Sequence, residues 1–124
     1  LYDTLLHVYT QSKADSLSKA YLGATTALMS QYAYAPWKRL NYFHEGVRLL
    51  EESIEIEHTA EKSFLRLLVQ MQAPNYLKYN RNMRTDFQTF INQIDTEEIT
   101  DDQRNKMKHL VEEAMQEHEV DIVL

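Results

Sequence analysis

The stretch PWKRLNYFHEGVRLLEESI, residues 36–54, carries the clearest pattern in the chain. It opens with a proline, which suits the first turn of a helix because the amide hydrogen that proline lacks has no partner there. Apolar side chains then recur at intervals of three and four residues: Leu40, Phe43, Val47, Leu50 and Ile54. This spacing predicts a helix that begins at Pro36 and packs one face in the core.

The preceding segment, about residues 14–34, predicts a second helix with a matching apolar face. A tight connection at residues 33–36 makes the two helices antiparallel neighbours. Their faces then pair as follows: Leu17 with Ile54, Tyr21 with Leu50, Ala24 with Val47 and Leu28 with Phe43. The same register places Gly23 opposite Gly46 or Val47. We expect a close approach of the two backbones there, and the alternative is that both glycines are tolerated on the surface.

Helical spacing also covers the rest of the chain. A short helix is predicted over about residues 1–10, and a nearly all-apolar, central helix follows a Thr59 cap and ends at Ala73. After a loop, a fifth helix carries Met83 to Ile94. The last helix begins at a capping box formed by Thr100 and Gln103. The predicted fold class is therefore all-α, with five to six helices in one domain over residues 1–124.

Composition excludes several classes of function. The chain has 124 residues and no cysteine, which excludes disulfides and cysteine-ligated zinc. Its net charge of -6 repels a nucleic-acid backbone, and no apolar run is long enough to span a membrane. Because the chain begins at Leu1 and not at a methionine, we expect that it lacks an upstream segment.

A series of short motifs resembles one family. The motifs are YLGA (21–24), APWKRLNYF (35–43), FLRL (64–67) and APNYLKY (73–79). They are similar to a family of small, uncharacterised, all-helical bacterial proteins, many of which are exported. The resemblance covers about residues 20–90. It implies a tetratricopeptide-like array of antiparallel helical hairpins and a periplasmic or exported location, and it implies no activity.

The similarity to tetratricopeptide repeats is partial. Gly46, Leu50 and Ser53, followed by Phe64 and Leu67, stand at roughly the offsets of such a repeat. The turn between the helices lacks the usual proline, however, and no 34-residue period recurs. An irregular helical bundle therefore stays open as the alternative.

Patterns typical of catalysis are weak in this sequence. There is no cysteine nucleophile, no Gly-x-Ser-x-Gly motif and no glycine-rich phosphate loop. Glu55 and His58 form a single Glu-x-x-His pair, whereas a di-iron bundle needs two such pairs and further glutamates. We predict no enzyme, no catalytic residue, no metal site and no cofactor.

Arg66 lies inside the most apolar predicted helix. A buried guanidinium needs a carboxylate, and the candidates are Asp86 and Glu45. The favoured interpretation is a structural ion pair between helices. The alternative is a ligand-binding arginine.

Two groups of residues are candidates for binding. Tyr32, Tyr34, Trp37 and Tyr42 gather at the turn between the first two long helices, where they either form a partner surface or seal the end of the hairpin. The segment 76–84 mixes tyrosines with cations, so with Arg66 it could bind a small anionic molecule or a carbohydrate; the residues are Arg66, Tyr76, Tyr79, Arg81 and Arg84. Packing of these tyrosines as plugs is the favoured alternative for the segment.

The function predicted from these residues is a non-enzymatic, helical-repeat-like module that binds a protein or peptide partner. The alternative is a small-molecule or carbohydrate-binding protein that uses Arg66 and the segment from Tyr76 to Arg84.

Overall fold

The computed structural model describes residues 16–117, which form five α-helices and no strand. The helices are α1 (Ser16–Met29), α2 (Pro36–Ile56), α3 (Ala60–Gln72), α4 (Met83–Gln93) and α5 (Asp101–Glu117). Single 3₁₀ turns follow α1, α3 and α4 at Ser30–Tyr32, Asn75–Leu77 and Ile94–Thr96. The prediction of an all-α fold is confirmed. The helix predicted over residues 1–10 lies outside the described residues.

The chain divides into two compact units, Leu1–His58 and Thr59–Leu124. In the first unit α1 packs against α2. The Ser53 hydroxyl donates to the carbonyl oxygen of Ser16, and the Lys19 ammonium lies 3.0 Å from the Glu52 carboxylate. Both contacts join the start of α1 to the end of α2, so the two helices form the predicted antiparallel hairpin.

The two glycines mark the closest approach of α1 and α2. A Cβ atom added to Gly23 would lie 2.6 Å from the carbonyl oxygen of Gly46. One added to Gly46 would lie 2.5 Å from the amide nitrogen of Ala27. Neither glycine has a positive φ, so glycine is required here for space and not for backbone conformation. The predicted close approach is confirmed.

Most of the side chains predicted for the paired faces lie in the core of the first unit, whereas Leu17 and Val47 are only half-buried. Its buried apolar side chains include Tyr21, Ala24, Leu28, Phe43, Leu50 and Ile54. Leu40 was expected in this core, but 42% of it is exposed. The predicted helix over residues 14–34 is also shorter than expected, since α1 ends at Met29 and a 3₁₀ turn covers Ser30–Tyr32.

The second unit is built around α3, which packs against α4 and α5. Each residue from Ala60 to Met71 is buried, which confirms the central helix that its apolar composition predicted. The rings of Phe64 and Phe90 lie 5.7 Å apart and join α3 to α4. Further core side chains are Leu65, Leu67, Leu68, Ile94, Met107 and Val111.

Side chains cap the starts of α3 and α5. The Thr59 hydroxyl accepts from the amide of Lys62 at 3.2 Å, and Thr100 and Gln103 form the predicted capping box. A further cap was not predicted: the Glu97 carboxylate accepts from the amides of Ala60 and Glu61. Glu97 lies far from α3 in sequence, so no local pattern could have indicated it.

Candidate functional site

Exposed aromatic side chains gather where α1 turns into α2. Tyr34 is 98% exposed and Trp37 is 67% exposed. We call this region the aromatic end; its exposed large apolar side chains are Met29, Tyr32, Tyr34, Trp37, Leu40 and Tyr42. Large apolar side chains that share one exposed segment are typical of an interaction surface. Their exposure argues against the alternative that these rings seal the hairpin.

The backbone that carries the aromatic end is held by hydrogen bonds. The Ser30 hydroxyl donates to the carbonyl oxygen of Ala27 at 2.6 Å, and the amide of Ala33 donates to Ser30 at 3.1 Å. The guanidinium Nε of Arg39 donates to the carbonyl oxygen of Ala33 at 2.8 Å, which ties the loop to α2. A surface that is ordered before binding loses less entropy when a partner binds.

The exposed side chains that α2 contributes to the aromatic end lie on two neighbouring faces of the helix. Trp37 and Leu40 are three residues apart, and Lys38 and Tyr42 are four apart, so each pair shares a helix face. All four residues lie within roughly 10 Å along the helix axis, given a rise of about 1.5 Å per residue. The end of the hairpin thus has an apolar strip formed by Trp37 and Leu40. Beside this strip, the cation of Lys38 lies on the same face as the ring of Tyr42.

Most lysines and arginines of the described helices have a carboxylate partner. Those with such partners are Lys19, Arg48, Arg66, Arg104, Lys106 and Lys108. Within residues 16–117, the exposed cations that lack one are Lys38, Arg39, Lys78, Arg81 and Arg84. They fall in two places, the aromatic end and the segment 76–84, and each place also holds an exposed tyrosine or tryptophan. Lys38 and Arg39 were missed as candidates, although the sequence shows no acidic residue from Ser16 to His44.

The segment 76–84 connects α3 to α4 and presents charge to solvent. Arg81 and Arg84 are exposed, and Tyr76 is 78% exposed. The expectation that Tyr76 packs as a plug is therefore wrong, whereas Tyr79 is half-buried. The segment turns at Lys78, whose φ of 55° is left-handed. This conformation reverses the chain direction after the 3₁₀ turn Asn75–Leu77.

Arg66 is not part of this exposed surface. Its guanidinium donates to both carboxylate oxygens of Asp86, at 2.8 and 2.9 Å, and Asp86 is 0% exposed. Asp86 is one of the two partners predicted for Arg66. The other candidate, Glu45, pairs with Arg48 one turn away at 2.5 Å. These contacts favour the structural role of Arg66, and its ligand-binding role stays a prediction.

Gln70 extends the buried ion pair into a network that sequence reasoning did not find. Its amide nitrogen donates to Asp86 at 2.8 Å, and its amide oxygen accepts from the backbone of Asn82 at 2.8 Å. Gln70 lies one turn after Arg66 on α3, so the two side chains share a face. The network fixes the start of α4 against α3 and thereby positions the end of the segment 76–84.

Among residues 16–117, no group of three or more histidine, aspartate or glutamate side chains could hold a metal ion. Glu55 and His58 are both exposed at the end of α2. His109 lies 3.6 Å from Glu113 on an exposed face of α5. None of the helices in this part of the chain is long and apolar enough to cross a bilayer.

No family model, curated protein or solved structure matches this chain. The functional conclusion therefore depends on the aromatic end and the segment 76–84.

Proposed function

We propose that this chain is a non-enzymatic helical module that binds a protein or peptide partner at its aromatic end. The observation that carries the proposal is the exposure of Tyr34 and Trp37 on a hydrogen-bonded loop and helix start. Tyrosine and tryptophan are enriched among the residues that contribute most to binding energy at protein interfaces. Packing between α1 and α2 does not explain why these two rings are present, because they are exposed and lie outside the core.

The antiparallel α1–α2 hairpin supports a tetratricopeptide-like arrangement as part of this proposal. Helical hairpins of that class stack and present side chains to peptides. The two backbones meet closely at Gly23 and Gly46, and the aromatic end lies at the turn of this closely packed pair.

Selection from random peptides displayed on phage tests the proposal. The immobilised wild-type chain is compared with the double variant Tyr34→Ala/Trp37→Ala, whose helix content and unfolding midpoint are measured first. We expect wild type to enrich a peptide family and the folded double variant to lose it. Enrichment that is equal for both proteins, or absent for wild type, would contradict the proposal.

A second candidate function is the binding of a small anionic ligand, such as a sugar acid, by the segment 76–84. It is favoured by the exposed cations Lys78, Arg81 and Arg84, which lack carboxylate partners within residues 16–117, and by the exposed Tyr76. Glucuronate is a suitable probe. We expect it to raise the melting temperature of wild type and to leave that of Arg81→Gln/Arg84→Gln unchanged; equal effects on both proteins would eliminate this candidate.

A further inference from the structure

The charges at the aromatic end are all positive. Between Ser16 and His44 the chain has no aspartate or glutamate, and the cations of this stretch are Lys19, Lys38 and Arg39. Lys19 is neutralised by Glu52. Lys38 and Arg39 are exposed and have no carboxylate partner within residues 16–117, although acidic residues outnumber basic ones in the whole chain by 19 to 13. Positive charge is thus left unbalanced beside Trp37 and Tyr42.

The start of α2 adds to this positive potential. Its N-cap residue, Ala35, offers no side-chain acceptor, and its first turn has no acidic residue. The positive end of the helix dipole therefore has no compensating charge in its first turn. The effect is modest, and it has the same sign as the charges of Lys38 and Arg39.

The opposite end of the same hairpin is acidic. From its middle to its end, α2 together with the residue after it carries Glu45, Glu51, Glu52, Glu55 and Glu57. An acidic partner would be repelled from that end and attracted to the aromatic end. The two ends of the hairpin therefore differ in charge. Positive charge and aromatic rings lie at the turn, and negative charge lies towards the C-terminal end of α2.

We infer that the partner of the aromatic end is an acidic peptide segment of another protein that also carries apolar or aromatic side chains. This inference rests on the proposed function. Carboxylates of the segment pair with Lys38 and Arg39, while its apolar side chains cover Trp37 and Leu40. A second copy of the chain fits less well, because a symmetric contact between two aromatic ends would place Lys38 and Arg39 against their own equivalents.

The test uses the peptides that the wild-type chain enriches from the displayed library, resynthesised with a fluorescent label. We expect them to be rich in Asp and Glu together with apolar residues, and to bind more weakly as salt screens the charges. Lys38→Glu should weaken binding at least about tenfold, since it places a carboxylate against carboxylates. Lys106→Glu is the matched control: Lys106 is an exposed lysine of α5, and its reversal should change the dissociation constant by less than about twofold.

The outcomes separate this inference from the proposed function. Neutral or basic peptides that still require Tyr34 and Trp37 would overturn the acidic partner and leave the binding surface intact. Peptides that bind without those two residues would overturn both. Concentration-dependent self-association in sedimentation velocity that Trp37→Ala abolishes would identify a second copy as the occupant, and it would overturn the acidic peptide.

Discussion

The ion pair between Arg66 and Asp86 is a buried contact of the second unit in which each charge depends on the other. Both side chains are buried, and Gln70 supplies a further hydrogen bond to the carboxylate. Such a pair contributes little net stability compared with apolar residues of similar size, but the loss of one partner leaves a buried charge. The two partners differ in how they respond, because a carboxyl group can take up a proton whereas a guanidinium cannot lose one.

Asp86→Ala should therefore destabilise the protein by about 3–5 kcal/mol, because it leaves Arg66 charged and buried. Arg66→Met should cost less, and the double variant Arg66→Met/Asp86→Leu should recover most of the loss. Urea unfolding of the three variants at neutral pH measures these differences. A smaller loss of stability for Asp86→Ala than for Arg66→Met would contradict the claim that removal of the carboxylate leaves a buried, unpaired charge on Arg66.

A chain of exposed charges links α1 to α2 and shifts the titration of two glutamates. The hydrogen bond from Arg48 lowers the pKa of Glu45. The hydrogen bond from Lys19 lowers the pKa of Glu52, and Arg48 adds to that effect. Because both pKa values fall on folding, the stabilisation is present above the ordinary glutamate value of 4.5 and is lost as the pH falls through the lower folded values.

Arg48→Gln should raise the pKa of Glu45 back towards its ordinary value. Glu52 should keep part of its lowering, because its largest contribution comes from Lys19. Carboxyl carbon shifts followed by NMR through an acid titration measure both groups in the same sample. Two unchanged pKa values in the variant would show that Arg48 does not pair with these carboxylates in solution.

At the scale of elements, the α1–α2 hairpin depends on the space left by two missing side chains. The backbone of each helix occupies the place where the other helix would carry a Cβ atom. Alanine at either position would push the helices apart or force a local shift, and overpacking of this kind costs about 1–3 kcal/mol. The gain in helix propensity from glycine to alanine is about 1 kcal/mol and opposes that cost.

Gly46→Ala should consequently lower the free energy of unfolding by roughly 1–2 kcal/mol net, because the atoms that the new Cβ would meet belong to the backbone and the overpacking cost lies in the upper part of its range. Asn41→Ala is the matched control on an exposed face of the same helix, and it should leave stability unchanged or slightly higher. Thermal and urea unfolding measure the stability of both variants relative to wild type. A Gly46→Ala protein as stable as the control would mean that α1 and α2 do not approach closely in solution.

Helix pairing was predictable in this chain, whereas the ends of the helices were less so. The residue spacing on α2 and its partner fixed the register, and the facing glycines followed from it. Nothing in the local pattern indicates that α1 stops at Met29 and turns through Ser30–Tyr32, and the spacing of apolar residues did not show that Leu40 is exposed. The cap from Glu97 and the bonds of Gln70 join residues distant in sequence, so they depend on tertiary structure that periodicity does not report.

The sequence identified which residues make up the candidate site, but it did not show whether their side chains are exposed to solvent. The aromatic residues at the turn were identified from sequence, yet sequence left a sealed end and a partner surface equally open. The exposure of Tyr34 and Trp37 favours the partner surface over the sealed end. This surface is positive, because Lys38 and Arg39 have no carboxylate partner among the described residues.

At the scale of the molecule, the polar and charged surface is not uniform. Carboxylates are in excess over the chain, which carries a net charge of -6, and the described cations without carboxylate partners are concentrated at the aromatic end and in the segment 76–84. Both places expose rings, and each lies within one of the two compact units. The molecule thus keeps two positive, aromatic surfaces on an otherwise acidic chain. Because these side chains are exposed, they should contribute little to folding.

The most direct test of this account compares the free energy of unfolding of Tyr34→Ala/Trp37→Ala with that of Phe43→Ala. The rings of Tyr34 and Trp37 are exposed, so their joint removal should change stability by no more than about 0.5–1 kcal/mol. Phe43 is buried, so its removal should cost about 3–5 kcal/mol. A loss for the double variant as large as that for Phe43→Ala would show that these rings seal the hairpin and are not free to bind a partner.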